Sequence, residues 1–143
     1  MIREQKETEI DRIMEIWLDT NQKAHSFISP RYWEEHFASV KEMMPKARVY
    51  VYEEERSGEI LGFVGLSGDY IAGIFVCDKC QSQGVGKQLI DFIKSIKGRL
   101  SLHVYQKNKG AVAFYKREGF TVASEEKEES TGEQEYFMVW KQR

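Results

Sequence analysis

One short segment limits what this chain can fold into more than any other. Residues 81–98 read QSQGVGKQLIDFIKSIKG and follow an apolar run, YIAGIFVC, at 70–77. The first run has the length and composition of a strand. The second has Leu89, Ile90, Ile93 and Ile96 at helical spacing, and Gly98 as its stop. Between them Gly84 and Gly86 open the helix. Glycine within a helix costs about 1 kcal/mol relative to alanine, so two at one first turn require a reason.

The surrounding pattern alternates. After a short opening strand, Thr8-Glu9-Ile10-Asp11 reads as an N-cap, with Ile10, Ile13, Ile16 and Trp17 recurring as an apolar stripe. Ser29-Pro30 is a cap followed by proline at the first helical position, and Trp33, Phe37, Val40 and Met44 give that helix its apolar face. Strand patterns follow at 48–55, 59–68 and 70–77. The glycine-led helix leads to a strand at 99–105, a helix opened by Asn108 and ended by Gly119, and two closing strands with a turn at Thr131-Gly132. The order is β-α-α-β-β-β-α-β-α-β-β. It fits an α/β (α+β) fold: one domain over 1–143, with a mixed, mostly antiparallel sheet of about seven strands and helices on both faces.

A helix N-terminus presents backbone N–H groups without intrahelical partners, and the helix dipole adds positive charge there. It is a site for an anion such as phosphate. Glycines remove the side chains that would keep a phosphate off the backbone, and Gln81, Gln83 and Lys87 surround the site with donors. The same segment also reads as a plain loop-to-helix turn. It is not a nucleotide P-loop, because Gly84 and Gly86 are two apart and Lys87 precedes Gln88. It is not a dinucleotide fingerprint, because Leu89 stands where the third glycine belongs.

The pattern that fits is [Q/R]-x-x-G-x-[G/A], at Gln81, Gly84 and Gly86. This resembles the pyrophosphate loop of the GNAT superfamily of acetyl-CoA-dependent N-acetyltransferases. A second block, LHVYQKNKGAVAFYKREGF at 102–120, resembles the strand and helix that follow in that family, matching at Leu102, Val104, Asn108, Ala111, Phe114, Tyr115, Gly119 and Phe120. AHSFISPRYW at 24–33 and YQKN at 105–108 look like a bacterial branch of the family with a protein-lysine acetyltransferase among its members.

The resemblance implies direct acetyl transfer from acetyl-CoA, as co-substrate, to a primary amine in a ternary complex. The amine belongs to a protein lysine, an N-terminus or a small molecule. The N–H groups from Gln83 through Gly84, Val85 and Gly86 to Lys87 would hold pyrophosphate. The strand edge at Phe75 and Val76 would pair with the pantetheine arm, as an added strand does, and a backbone N–H near Phe75 would face the thioester oxygen. Asn108 joins the expected cofactor site. Tyr115 matches the general acid to the CoA thiolate, its alternative being a core tyrosine with a satisfied hydroxyl. His103 stands where some family members carry a glutamate base, and it reads equally as a structural histidine. His25, Phe27, Tyr32 and Tyr70 are expected at the acceptor site, with loop packing as the alternative. The acidic run Glu125, Glu126, Glu128 and Glu129 is either a rim that attracts a cation or a solvated turn. A non-catalytic acyl-CoA-binding module is the rival reading.

Cys77-Asp78-Lys79-Cys80 departs from the family pattern. With no second pair to complete four ligands it is not expected to hold zinc, and no metal is expected. The formal net charge of −2 argues against a nucleic-acid surface. With no apolar run approaching ~20 residues, a cytoplasmic location off the membrane is the expectation, as monomer or homodimer.

Overall fold

The computed structural model describes residues 1–143. Its elements are β1 (Ile2–Glu4), α1 (Ile10–Ala24), α2 (Pro30–Met43), β2 (Arg48–Glu53), β3 (Ile60–Ser67), β4 (Tyr70–Val76), α3 (Val85–Ile96), β5 (Arg99–Tyr105), α4 (Lys109–Arg117), β6 (Thr121–Lys127) and β7 (Gln134–Lys141). Seven strands form one sheet in the order β1-β2-β3-β4-β5-β7-β6. Every neighbouring pair is antiparallel except β4 with β5. The expected single α/β domain with a mostly antiparallel sheet is the one observed.

Strand alternation sends successive side chains to opposite faces, and each face carries its own core. Against α1 and α2 lie Val49, Val51, Phe63 and Tyr105, packed with Ile13, Trp17 and Trp33. On the other face Val64, Ile71, Leu102 and Met138 meet Leu89, Ile90 and Ile93 of α3. No helix is long and apolar enough to cross a membrane.

Helix starts follow local chemistry with one exception. The Ser29 hydroxyl accepts from the Arg31 N–H at 3.3 Å and Pro30 opens α2, as the sequence implies. Asn108 caps α4 by accepting from the Ala111 N–H at 3.3 Å. Thr8 is not the cap of α1. Glu7–Glu9 forms one turn of 3-10 helix ahead of it. The Glu9 carboxylate accepts from the Lys6 N–H at 2.8 Å and also pairs with Arg3, which reaches Glu53 at 2.7 Å. That ion pair to the edge of the sheet moves the start. Two apolar positions also differ. Met44 is buried, but in a short 3-10 turn after α2. Ile96 is 46% exposed because α3 ends there and Lys97 turns extended.

Gly62 sets how closely β3 and β4 approach. It pairs with Val76, and a Cβ there would sit 2.7 Å from the Phe75 carbonyl oxygen and 3.3 Å from Val85 Cγ1. The first neighbour is backbone and cannot rotate away. Gly62→Ala is expected to lower stability by about 1–3 kcal/mol, read from urea unfolding. An unchanged midpoint would show that β4 can shift without loss.

Candidate active site

Strands β4 and β5 pair only at Tyr70–Ser101 and Ile71–Leu102. Beyond Ile71, β4 stays with β3 and β5 stays with β7, so the two part and leave a wedge. The end of α1, the 81–87 loop and α4 close it into a cleft of about 740 Å³. Phe75 and Val76 line it from β4, Gln81, Gly84, Gly86 and Lys87 from the loop, and Asn108 and Tyr115 from α4.

The two glycines serve different ends. Gly84 has φ +85°, a left-handed conformation open to glycine, and a Cβ there would meet little. Gly86 has an ordinary φ, but its Cβ would lie 3.5 Å from the Phe114 ring and 3.8 Å from Val76 Cγ2, in the narrow part of the cleft. One glycine shapes the turn and the other leaves room beside it. The first helical bond of α3 runs from the Gln88 N–H to the Gly84 carbonyl at 3.0 Å. The amides of Val85, Gly86 and Lys87 precede it and have no partner within the helix.

The donors around the loop are less free than the sequence suggests. Gln81 Nε2 donates to the Val76 carbonyl at 3.2 Å. Gln83 donates to the Lys79 carbonyl at 3.4 Å and does not line the cleft, and the Val85 side chain is buried in the core. Lys87 Nζ lies 3.2 Å from Glu118 and 3.5 Å from Asp91. The pair with Glu118 raises the lysine's pKa first, and Asp91 adds to it. Glu118, Thr20 and Asn21 line the same cleft, and sequence reasoning missed all three. The α1 pair reads as a polar face, yet both side chains turn back to their own helix. Thr20 Oγ1 donates to the Ile16 carbonyl at 2.7 Å, and Asn21 Nδ2 to that of Trp17 at 2.9 Å.

Tyr115 is buried at the cleft wall, its ring against Phe114 and Phe120 at centroid distances of 5.3 and 5.7 Å. Burial pushes its phenol well above the ordinary tyrosine value. Asn108 accepts from Ala111 with Oδ1, which turns its Nδ2 to His25 Nε2 at 3.3 Å. His25 therefore accepts at Nε2 and carries its proton on Nδ1, which is buried without a partner. Its ring stacks on Trp33 at 5.2 Å and meets Tyr105 and Phe27 edge-on at 5.0 and 5.7 Å. Burial lowers its pKa, so it is neutral at pH 7. His25 and Phe27 thus join the end of α1 to the start of α4, and His25 lines the cofactor-side cleft.

The remaining expected residues gather on the α1–α2 face of the sheet. Tyr70 Oη lies 2.9 Å from His103 Nδ1, and His103 Nε2 lies 3.1 Å from Glu126 Oε1. Neither Tyr70 nor His103 lines the cleft. Burial, then the charge of Glu135, raises the Tyr70 pKa. Burial, then Glu128, raises that of Glu135. Tyr32 Oη bonds Ser130 Oγ at 2.8 Å, and Tyr105 donates to Glu128 at 2.7 Å. Of the acidic run, Glu125 accepts from Gln106 at 3.0 Å, Glu126 holds His103 and Glu128 holds Tyr105. These three acids make specific bonds, beyond what a merely solvated turn requires.

Cys77 and Cys80 are buried free thiols, Cys77 just before and Cys80 at the end of a 3-10 turn, Asp78–Cys80. Burial, with Cys77 alongside, pushes Cys80 up to about 11, so it holds little reactive thiolate at neutral pH. No group of three or more His, Cys, Asp or Glu side chains is placed to hold a metal ion.

Residues 45–122 match the family model described as an acetyltransferase (GNAT) domain. The chain is 34% identical to peptidyl-lysine N-acetyltransferase YiaC of Escherichia coli, over 98% of this chain and 96% of that one. Its fold matches the solution structure of apo YjaB from Escherichia coli with a TM-score of 0.88 and 26% identity, covering 100% of this chain and 98% of that one. It also matches a structure of YncA from Salmonella typhimurium with its cofactor acetyl-CoA, at a TM-score of 0.70 and 16% identity over 100% and 94% of the two chains. The parted strands, the glycine-opened helix and these matches over nearly the whole chain agree: the protein belongs to the GNAT family of acetyltransferases.

Proposed function

We propose that this enzyme transfers the acetyl group of acetyl-CoA directly to a lysine side-chain amine of a protein, within a ternary complex. The observation that carries the proposal is the wedge between β4 and β5: a free strand edge runs into an uncapped, glycine-lined helix N-terminus, with Tyr115 in the wall. An extended, amide-bearing thioester with a pyrophosphate fits such a site. The β4 edge supplies backbone partners to the amides, as a neighbouring strand would. The first-turn amides of α3 take the phosphates. The lysine acceptor is supported by the kinship to YiaC, named a peptidyl-lysine N-acetyltransferase, and by the acidic side chains of β6 and β7 on the α1–α2 face.

Acetyl-CoA brings an activated acyl group whose carbonyl carbon is open to attack. The chain's own residues position it and move protons. A backbone N–H of β4 near Phe75 meets the thioester oxygen as charge develops there. Tyr115 hands its phenolic proton to the departing sulfur and regains one from the acetylated nitrogen, ending as it began. Burial suits it to that role, because a phenol with a raised pKa stays protonated throughout the neutral range. His103 takes up the proton that the incoming ammonium must lose and passes it on to solvent. Lys87 exchanges Glu118 for phosphate when the loop fills.

Four outcomes check this reading. Calorimetric titration is expected to show acetyl-CoA binding that is lost with a pantetheine thioester lacking the phosphates; equal binding of both would remove the loop from the site. Gly84→Ala forces a side chain into a left-handed conformation at about 1–2 kcal/mol. It is expected to weaken acetyl-CoA binding roughly 5- to 30-fold, that free energy expressed as a ratio. Tyr115→Phe is expected to lower kcat about 10²–10⁴-fold with acetyl-CoA affinity retained. The wild-type rate should show no alkaline fall below about pH 10, the ordinary tyrosine value. Undiminished turnover in Tyr115→Phe would refute the assignment of the acid, whereas wild-type protein that binds acetyl-CoA without acetylating any amine would favour a binding-only module.

A further inference from the structure

The bonds around His103 leave neither of its nitrogens for a substrate. Glu126 is held at both oxygens, Oε1 by His103 Nε2 at 3.1 Å and Oε2 by the Ser124 hydroxyl at 2.9 Å. These two bonds, Ser124 first, lower its pKa, so it is ionised and can only accept. His103 must then donate from Nε2. A neutral imidazole that donates at Nε2 accepts at Nδ1, and the donor there is the Tyr70 hydroxyl at 2.9 Å. Phe137 packs against the imidazole at 4.9 Å and limits its reorientation. Three strands, β4, β5 and β6, thus supply one hydrogen-bonded chain in which each polarity is fixed by the next.

The free end of that chain is Tyr70 Oη, whose lone pairs are not used by His103. Tyr70 stands in the first of the two β4–β5 pairs, one residue before the strands part at Ile71. Its phenol is near enough to Tyr115 to disfavour ionisation there. The geometry points to Tyr70 as the catalytic residue that contacts the acceptor amine, with His103 as the proton store behind it and Glu126 as the positioning residue that sets the imidazole tautomer. This rests on the lysine acetyltransfer reading above.

The step balances. The acceptor ammonium gives one proton to Tyr70 Oη while the Tyr70 hydroxyl proton passes to His103 Nδ1. The products are a neutral amine, a neutral phenol and an imidazolium paired with the Glu126 carboxylate. Solvent then takes the stored proton. The titratable groups that face His103 and Tyr70 from the packed elements are Glu126 and Glu128 of β6's end of the hairpin, Glu135 of β7 and the neutral Tyr115 phenol from α4. Of the three carboxylates only Glu126 is bonded to the imidazole.

The test pairs two acceptors with one spectroscopic measurement. The acceptors are a lysine peptide and the same peptide with an aminooxy group in place of the ammonium, which is already neutral at assay pH. Tyr70→Phe is expected to lower kcat/KM for the lysine peptide about 10²–10⁴-fold, and at least tenfold more than for the aminooxy peptide. A purely structural Tyr70 would reduce both alike, and that result would overturn the relay. Glu126→Gln is expected to slow the lysine peptide more than the aminooxy peptide, because the imidazole loses the acceptor that fixes its tautomer. Glu126→Asp is expected to recover part of the rate. Nitrogen-15 shifts of the His103 ring in the wild-type protein should show a protonated Nε2 and an unprotonated Nδ1. The opposite tautomer would overturn the relay without touching the acetyltransferase reading. Wild-type protein that binds acetyl-CoA but acetylates neither peptide would overturn the lysine reading and the relay together.

Discussion

Strands β4 and β5 share only two register pairs, and the site depends on that brevity. Each strand is fully paired on its other side, β4 to β3 and β5 to β7, so the parting costs the sheet little cohesion. What it leaves is a row of backbone groups on β4 that must find partners other than β5. Gln81 serves one of them, the Val76 carbonyl. The bulge between Gly65 and Leu66 turns β4 away from a regular course just beyond the last pair with β5. Gly62 lets the diverging strand stay tight against β3. A cleft that accepts an extended ligand therefore comes from ordinary sheet pairing that is stopped early.

The parting also gives access between the two faces of the sheet. Tyr115 comes from α4 on one face, while the Tyr70–His103–Glu126 chain lies on the other. In the proposed chemistry one face holds the group that gives a proton and the other holds the groups that take one. The sheet keeps them in separate surroundings. Tyr115 is enclosed by Phe114 and Phe120, and Tyr70 sits among carboxylates. Two phenols of the same intrinsic chemistry are thus biased toward different work by what packs around them.

What the sequence disclosed and what it hid divide by range. The order of elements, the Ser29-Pro30 start, the Asn108 cap and the glycine-opened helix are local, set within a few residues, and each could be read from spacing. The engagement of Lys87 with Glu118 joins residues 31 apart, and that of His25 with Asn108 joins residues 83 apart. Periodicity tells which face a side chain takes but not which distant strand will lie across from it. His103 could be assigned to the face opposite Leu102 for that reason, while Glu126 as its partner could not be foreseen. The failure at Thr8 has the same origin, because Glu9 was drawn off by Arg3 and that link ties into Glu53.

The placement of β7 has a consequence for how the chain reaches this state. β7 lies between β5 and β6, although it is made after both, and its Met138 is fully buried. Until residues 134–141 leave the ribosome, β5 has no partner on that side and β6 has none at all. The N-terminal strands β1 to β4 can pair as successive neighbours during synthesis, but the half that carries His103, Glu126 and Tyr115 cannot close. Folding of that half waits on a late insertion between two exposed edges, the kind of long-range pairing that is slow and open to misassociation. A nascent chain would thus form its cofactor loop before the partners of its proton chain were aligned.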